Sequence, residues 1–210
     1  MSGKKKALIA TLSAGALGGT STGVYYSVDK SSYIDRKLRS EGFQILTDYD
    51  NNDNDWTPVL NKYKTARKNV RSNSANETLP KLKKKCNIAI SNRSSNNEDY
   101  LFARQWCVKE ETVTTILSRG KYKVLNSNES KNLDNDDWNN RIQLVLNSKD
   151  EYKELKTKLQ NEADSNRKIA IIRKECADMT NSQKTTTTED FGERFEKSRI
   201  LCAIKKKDNT

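Results

Sequence analysis

Apolar side chains recur along this chain at spacings of three and four, the period of a single helix face. Trp56, Val59 or Leu60, Tyr63 and Val70 form one such stripe, and Trp138, Ile142 and Val145 form another. Leu79, Leu82, Cys86 and Ala89 make a third, matched by Ile169, Ile172, Cys176 and Met179. Upstream, residues 29–38 read as a capped helix with Tyr33, Ile34 and Leu38 inward and Gly42 just past its end. Two short apolar runs, Phe43 to Leu46 and Tyr122 to Leu125, break the helical period and are read as short strands. Asp55 and Asp137 are the expected helix caps, and residues 155–163 an additional helix. Residues 91–97 and 180–188 are polar with no apolar period, which predicts surface loops.

The stripes come in pairs and in one order, the mark of an internal repeat. The run from Leu38 to Leu46 is echoed by Leu117 to Leu125, and the Asp-Trp step at Asp55-Trp56 by Asp137-Trp138. The helical stripe ending at Cys86 is echoed by the one ending at Cys176. An acidic-aromatic step follows in each half, Asp99-Tyr100 and Asp190-Phe191, and each half closes on a second cysteine, Cys107 or Cys202. Tyr100 lies seven residues before its cysteine and Phe191 eleven, a difference of about one helical turn. The expected organisation is an N-terminal hydrophobic segment at residues 1–28, a first unit at 29–109 and a second at 110–210. The expected class is mainly α, or α+β if the short runs are strands.

The first segment opens with Lys4 to Lys6 and continues with 22 uncharged residues, Ala7 to Val28. A basic start followed by an apolar stretch directs export, either as a cleaved signal or as an uncleaved anchor. Gly15, Gly19 and Gly23 fall on one helix face, where small residues let two membrane helices approach, which points to a homodimer through that face. Tyr25 and Tyr26 stand where an interfacial aromatic belt would. Under either account the lysines stay inside and the bulk of the chain is extracellular, membrane-tethered if uncleaved and secreted if cleaved.

Export changes the reading of the four cysteines, two per unit. They lie 21, 69 and 26 residues apart, a poor spacing for zinc, and three disulfide connectivities are open. The repeat argues for Cys86 with Cys107 and Cys176 with Cys202, because an ancestral unit could pair only within itself. Buried free thiols are the alternative. Such staples would compensate for a thin core, since 33% of the 210 residues are hydrophobic and 32% charged. Trp56 and Trp138 head helical stripes and are read as core anchors, and Trp106 as packing beside its neighbouring cysteine.

Composition narrows the chemistry. There is no histidine, the commonest proton carrier and metal ligand near neutral pH, and no glycine-rich phosphate loop or nucleophile elbow. The acidic runs at 48–55 and 134–137 lack the order of a calcium loop. No catalytic, cofactor-binding or metal-binding residues are therefore assigned, and the expected protein is not an enzyme. A net charge of +11 attracts polyanions, but no nucleic-acid-binding motif accompanies the lysines, and the acidic runs would repel phosphate.

The Lys4 to Lys6 start, the Gly15/Gly19/Gly23 segment, the Gly42-Phe43 step with Ile45 and Leu46, Asp55-Trp56 with Leu60 and Tyr63, and the Trp106-Cys107 ending together resemble the lysine- and asparagine-rich paralogous proteins of haemotropic mycoplasmas. The resemblance covers nearly the whole chain through short motifs. It implies an exported or surface protein of a wall-less blood parasite, expanded and variable, with no assigned reaction. The expected function is a host-interaction or antigenically variable surface module whose host partner the sequence does not identify. The alternatives are a secreted or surface hydrolase acting on host material, and a basic nucleic-acid-binding surface protein.

Overall fold

A computed structural model describes residues 32–46, 53–68, 77–128, 133–149 and 151–206. The predicted membrane segment with Gly15, Gly19 and Gly23 lies outside them, as do Asp29 and Val70. The first half of the described chain contains α1 (Ile34–Glu41), α2 (Asp53–Lys68), α3 (Leu79–Ser91) and α4 (Asn97–Trp106). The second contains α5 (Val113–Arg119), β1 (Tyr122–Val124), α6 (Asn135–Asn147), α7 (Lys153–Gln160), α8 (Ser165–Met179), α9 (Phe191–Leu201) and β2 (Ala203–Lys205). The protein is mainly α. Its one sheet among the described residues is the antiparallel pair β1 and β2, with Val124 opposite Ala203.

Local chemistry sets several helix ends. The side chains of Asn96, Thr112 and Asp164 accept the amides of Asp99, Thr115 and Arg167, satisfying donors that the first turns of α4, α5 and α8 leave open. Pro80 sits in the first turn of α3, where its missing N–H costs nothing. α1 stops at Gly42, which is left-handed at φ 99°, so its own amide and that of Phe43 close back onto Arg39 and Leu38. Asp55 and Asp137 are not caps: α2 and α6 begin at Asp53 and Asn135, which puts both carboxylates inside the first turn, where the helix dipole favours them. The residue before α6 is Asp134, left-handed at φ 60°. Tyr33 is likewise not inward; it precedes α1 and is 40% exposed.

The apolar stripes bury as two clusters. Ile34, Leu38, Trp56, Val59, Tyr63, Leu82 and Cys86 belong to the first, and Trp138, Ile142, Val145, Leu159, Ile172 and Cys176 to the second. The first cluster continues past residue 109 through Val113, Ile116, Leu117 and Tyr122, and it takes in Phe191 and Phe195 of α9. The Phe43 ring packs 4.9 Å from Phe195 and 6.3 Å from Phe191. The helices before the last cysteines differ by a single residue in length, 10 against 11. Counted back from the cysteine, Phe195 therefore stands at the place of Tyr100, and Phe191 adds a buried ring one turn earlier.

Both halves repeat one backbone register. The Leu46 amide donates to the Cys107 carbonyl at 3.0 Å, and the Leu125 amide to the Cys202 carbonyl at 2.8 Å. The short apolar runs differ in extent. Residues 122–124 form a strand, whereas Ile45 makes only an isolated bridge to Val108. The helix ends of the two halves meet at Gly42 and Gly120.

The two polar connectors lie at the surface except at Ser94, Thr186 and Thr187, and both are docked onto the fold. Thr186 is fully buried and its amide donates to the Glu111 carbonyl, while Thr112 and Thr185 form a bridge. Ser94 is buried too, and its amide donates to the Ser32 carbonyl. Polar composition hid this docking because the bonds are made by the backbone.

A Cβ at Gly42 would lie 2.2 Å from the Ile116 carbonyl oxygen and 2.7 Å from the Gly120 nitrogen, in a left-handed conformation. Gly42→Ala is expected to destabilise the fold by about 2 kcal/mol or more, read as a lower urea midpoint with unchanged slope. A midpoint equal to that of the parent would show that the two helix ends are not held this closely.

Candidate functional site

Cys86 at the middle of α3 bonds to Cys107 just past α4, and Cys176 of α8 bonds to Cys202 just past α9, with Cα separations of 5.3 and 5.5 Å. All four sulfurs are buried and none is free. The helical stripes carry the first cysteine of each pair inward, and the helix end presents the second. The pairing follows the repeat, within each half.

Trp56 and Trp138 lie 1% and 0% exposed in the two clusters. Each ring carries a cation from the position three residues before the first cysteine of its half: Lys83 at 5.7 Å from Trp56 and Arg173 at 6.0 Å from Trp138. Both indole N–H groups are buried without a hydrogen-bond partner among the described residues. Trp106 places its carbonyl 3.5 Å from Cys86 Sγ and its ring 5.2 Å from Tyr63.

The densest group of charges was not foreseen and lies where α1, α4 and α9 converge. Tyr100 donates its hydroxyl to Glu41 at 2.7 Å, and the Lys37 ammonium sits 3.5 Å from the centre of the Tyr100 ring. Arg104 is 5.2 Å from the centroid of the same ring and donates to Glu196 at 3.1 Å, and Arg199 reaches the second oxygen of that carboxylate at 2.5 Å. Gly192 leaves room for this: a Cβ there would be 2.3 Å from the Arg104 guanidinium. Arg104 and Arg199 stand three residues before Cys107 and Cys202, the one trace of the network in the sequence.

Burial dominates the electrostatics of this seam. It pushes the Glu41 carboxyl above the usual carboxylate range, with the Tyr100 bond and Lys37 opposing only in part. Burial also lowers Lys37 and raises Tyr100 well above an ordinary phenol. Chemically the group is a clamp that ties α9, from the second half, to α1 and α4, from the first.

A second polar hub secures the 180–188 connector. Glu110 accepts from Lys62, from Thr185 at 2.5 Å and from Thr187 at 3.2 Å. Burial raises its carboxyl, but these bonds outweigh burial and leave it below the usual range. Apart from these hubs, an open groove runs along α3 between Asp53 and Asn92, lined by Leu79, Lys84 and Ile88. Among the described residues no group of His, Cys, Asp or Glu is placed to hold a metal ion. No described helix is long and apolar enough to cross a membrane.

Comparison of the chain with protein-family models, with characterised proteins and with solved structures yields no match. The reading of function therefore rests on the residues and their geometry.

The sign of the seam's pH dependence follows from Glu41. Its folded carboxyl binds a proton more readily than the unfolded one, so its contribution to stability is complete at acid pH and declines as pH rises through the carboxylate range. Glu41→Gln keeps an acceptor for Tyr100 and removes the buried charge. It is expected to raise the melting temperature by a few degrees at neutral pH, with the gain vanishing at acid pH, in thermal melts across that range. A loss of stability at neutral pH would show that the ionised carboxylate is an asset.

Proposed function

We propose that this chain is an exported surface module of two duplicated, disulfide-stapled helical units, tethered by or released from its N-terminal segment, and that it acts by contact rather than by catalysis. The observation that carries this is the pair of buried disulfides: paired cysteines persist in oxidising, extracytoplasmic settings, and they agree with a basic start followed by an uncharged stretch. The recurring register around Leu46 and Cys107, and around Leu125 and Cys202, supports duplication. The resemblance to variable surface proteins of haemotropic mycoplasmas makes host contact the favoured role.

Intact mass of the native protein, before and after reduction and thiol alkylation, tests the proposal. With alkylation carried out in denaturant so that the buried sulfurs are reached, the expected result is no added group without reduction and four after it, on a chain either whole or shortened by its N-terminal segment. Four reactive thiols on a whole native chain would place the protein in a reducing compartment and remove the proposal. In urea unfolding, loss of either disulfide by Cys→Ala replacement of both partners is expected to cost about 3 kcal/mol, the loop-closure term for loops of this length.

A further inference from the structure

We infer that the face formed by the start of α1 and the outer side of α3 rests on an anionic lipid surface, an inference that builds on the membrane-tethered reading above. On α3, Lys81, Lys84, Ile88 and Ser91 follow one another at spacings of three, four and three and are all exposed, whereas Leu82, Cys86 and Ala89 on the opposite side are buried. Ile88 is 57% exposed. The Ile34 amide donates to the Asn92 carbonyl at 2.9 Å, which joins the start of α1 to the end of α3. There the half-exposed Tyr33 ring lies 5.0 Å from the Arg93 guanidinium and 5.8 Å from that of Arg36. The face thus combines cations with an aromatic ring and an aliphatic side chain, the mixture that suits a lipid headgroup layer.

Among the described residues, Asp35 in the first turn of α1 stands at the same end of the face. Asp53 on the groove is 3.2 Å from Lys83, and Asp99 accepts from Asn92 and Asn96 at 2.5 Å each. Glu98 is exposed beside them.

Two observations choose lipid as the occupant. Tyr33 follows Val28, the last residue of the uncharged segment, by five positions, and five extended residues span at most roughly 18 Å. A chain tethered by that segment must hold this end close to the bilayer. The second half, which has no such tether, differs at the matched position: Lys84 and Lys174 both stand two residues before their cysteines, but two residues after them Ile88 is replaced by the exposed Asp178. The basic-apolar face belongs to the tethered half alone.

The full chain, reconstituted in vesicles of phosphatidylcholine or of phosphatidylcholine with phosphatidylglycerol and recovered by flotation, provides the test. Amine labelling of Lys84 is read against Lys174 on the same molecules by peptide mass spectrometry. The expected result is that anionic vesicles lower the Lys84 to Lys174 labelling ratio by about fivefold, the weight of one basic side chain near an anionic surface. High salt or Ile88→Asp should restore the ratio. Flotation with both vesicle types and an unchanged ratio would overturn this inference while leaving the tether intact. Flotation with anionic vesicles only, with Lys84 protected, would uphold the face and remove the tether. Recovery with neither would overturn both.

Discussion

Each half of this protein depends on one cysteine at the end of a helix. Cys107 and Cys202 tie the last helix of their half to the helix before it through sulfur, and their carbonyls accept the amides of Leu46 and Leu125. One residue thereby holds three segments: two helices and the short extended run that returns from upstream. With a third of the chain hydrophobic and a similar fraction charged, the apolar clusters alone have little margin, and a covalent constraint on the unfolded chain stabilises without further burial. The tryptophans share the apolar cluster of their half with its staple and lie under a cation supplied by the cysteine-bearing helix, so the packing of each half is referred to the same helix pair.

The two halves are joined differently. Where α9 meets α1 and α4 the contact mixes the Phe43, Phe191 and Phe195 rings with a half-buried network of Lys37, Glu41, Glu196 and Arg199 around the buried Tyr100 and Arg104. Buried ions give up hydration, and their attraction repays this only when every lone pair is used. Here one carboxylate serves two guanidiniums and the other is held by a phenol. Such a seam gains orientation more than energy. A sliding aromatic contact has many registers, whereas Arg104 and Arg199 on one Glu196 have one. The Gly42 and Gly120 contact adds a steric stop, because neither helix end tolerates a side chain there.

A protein built this way carries polar surface that its packing does not use. The lysine-bearing outer side of α3 and the exposed turns of α8 lie away from the staples, the tryptophans and the seam. Sequence variation there leaves the packing untouched. The connectors are a different matter: Thr186 and Ser94 are backbone-docked, so variation near them is limited to side chains that still permit those bonds.

The sequence by itself determined the helical class, the paired landmarks and the inward position of Trp56 and Trp138, and through the repeat it favoured one of three cysteine pairings, which the structure then settled. These properties are periodic or ordinal, and a period of 3.6 or a repeated order survives in one dimension. Tertiary structure alone decided the rest. The charges of the seam come from three helices far apart in the chain, and nothing in the spacing of Glu41, Tyr100 and Glu196 marks them as neighbours. The docking of 180–188 escaped notice because it is made by a backbone amide and by common threonine hydroxyls meeting Glu110 and Glu111 from far along the chain. The helix starts shifted from Asp55 and Asp137 because an acidic residue suits either a cap or a first turn. Which role it takes depends on where the chain upstream has room to turn.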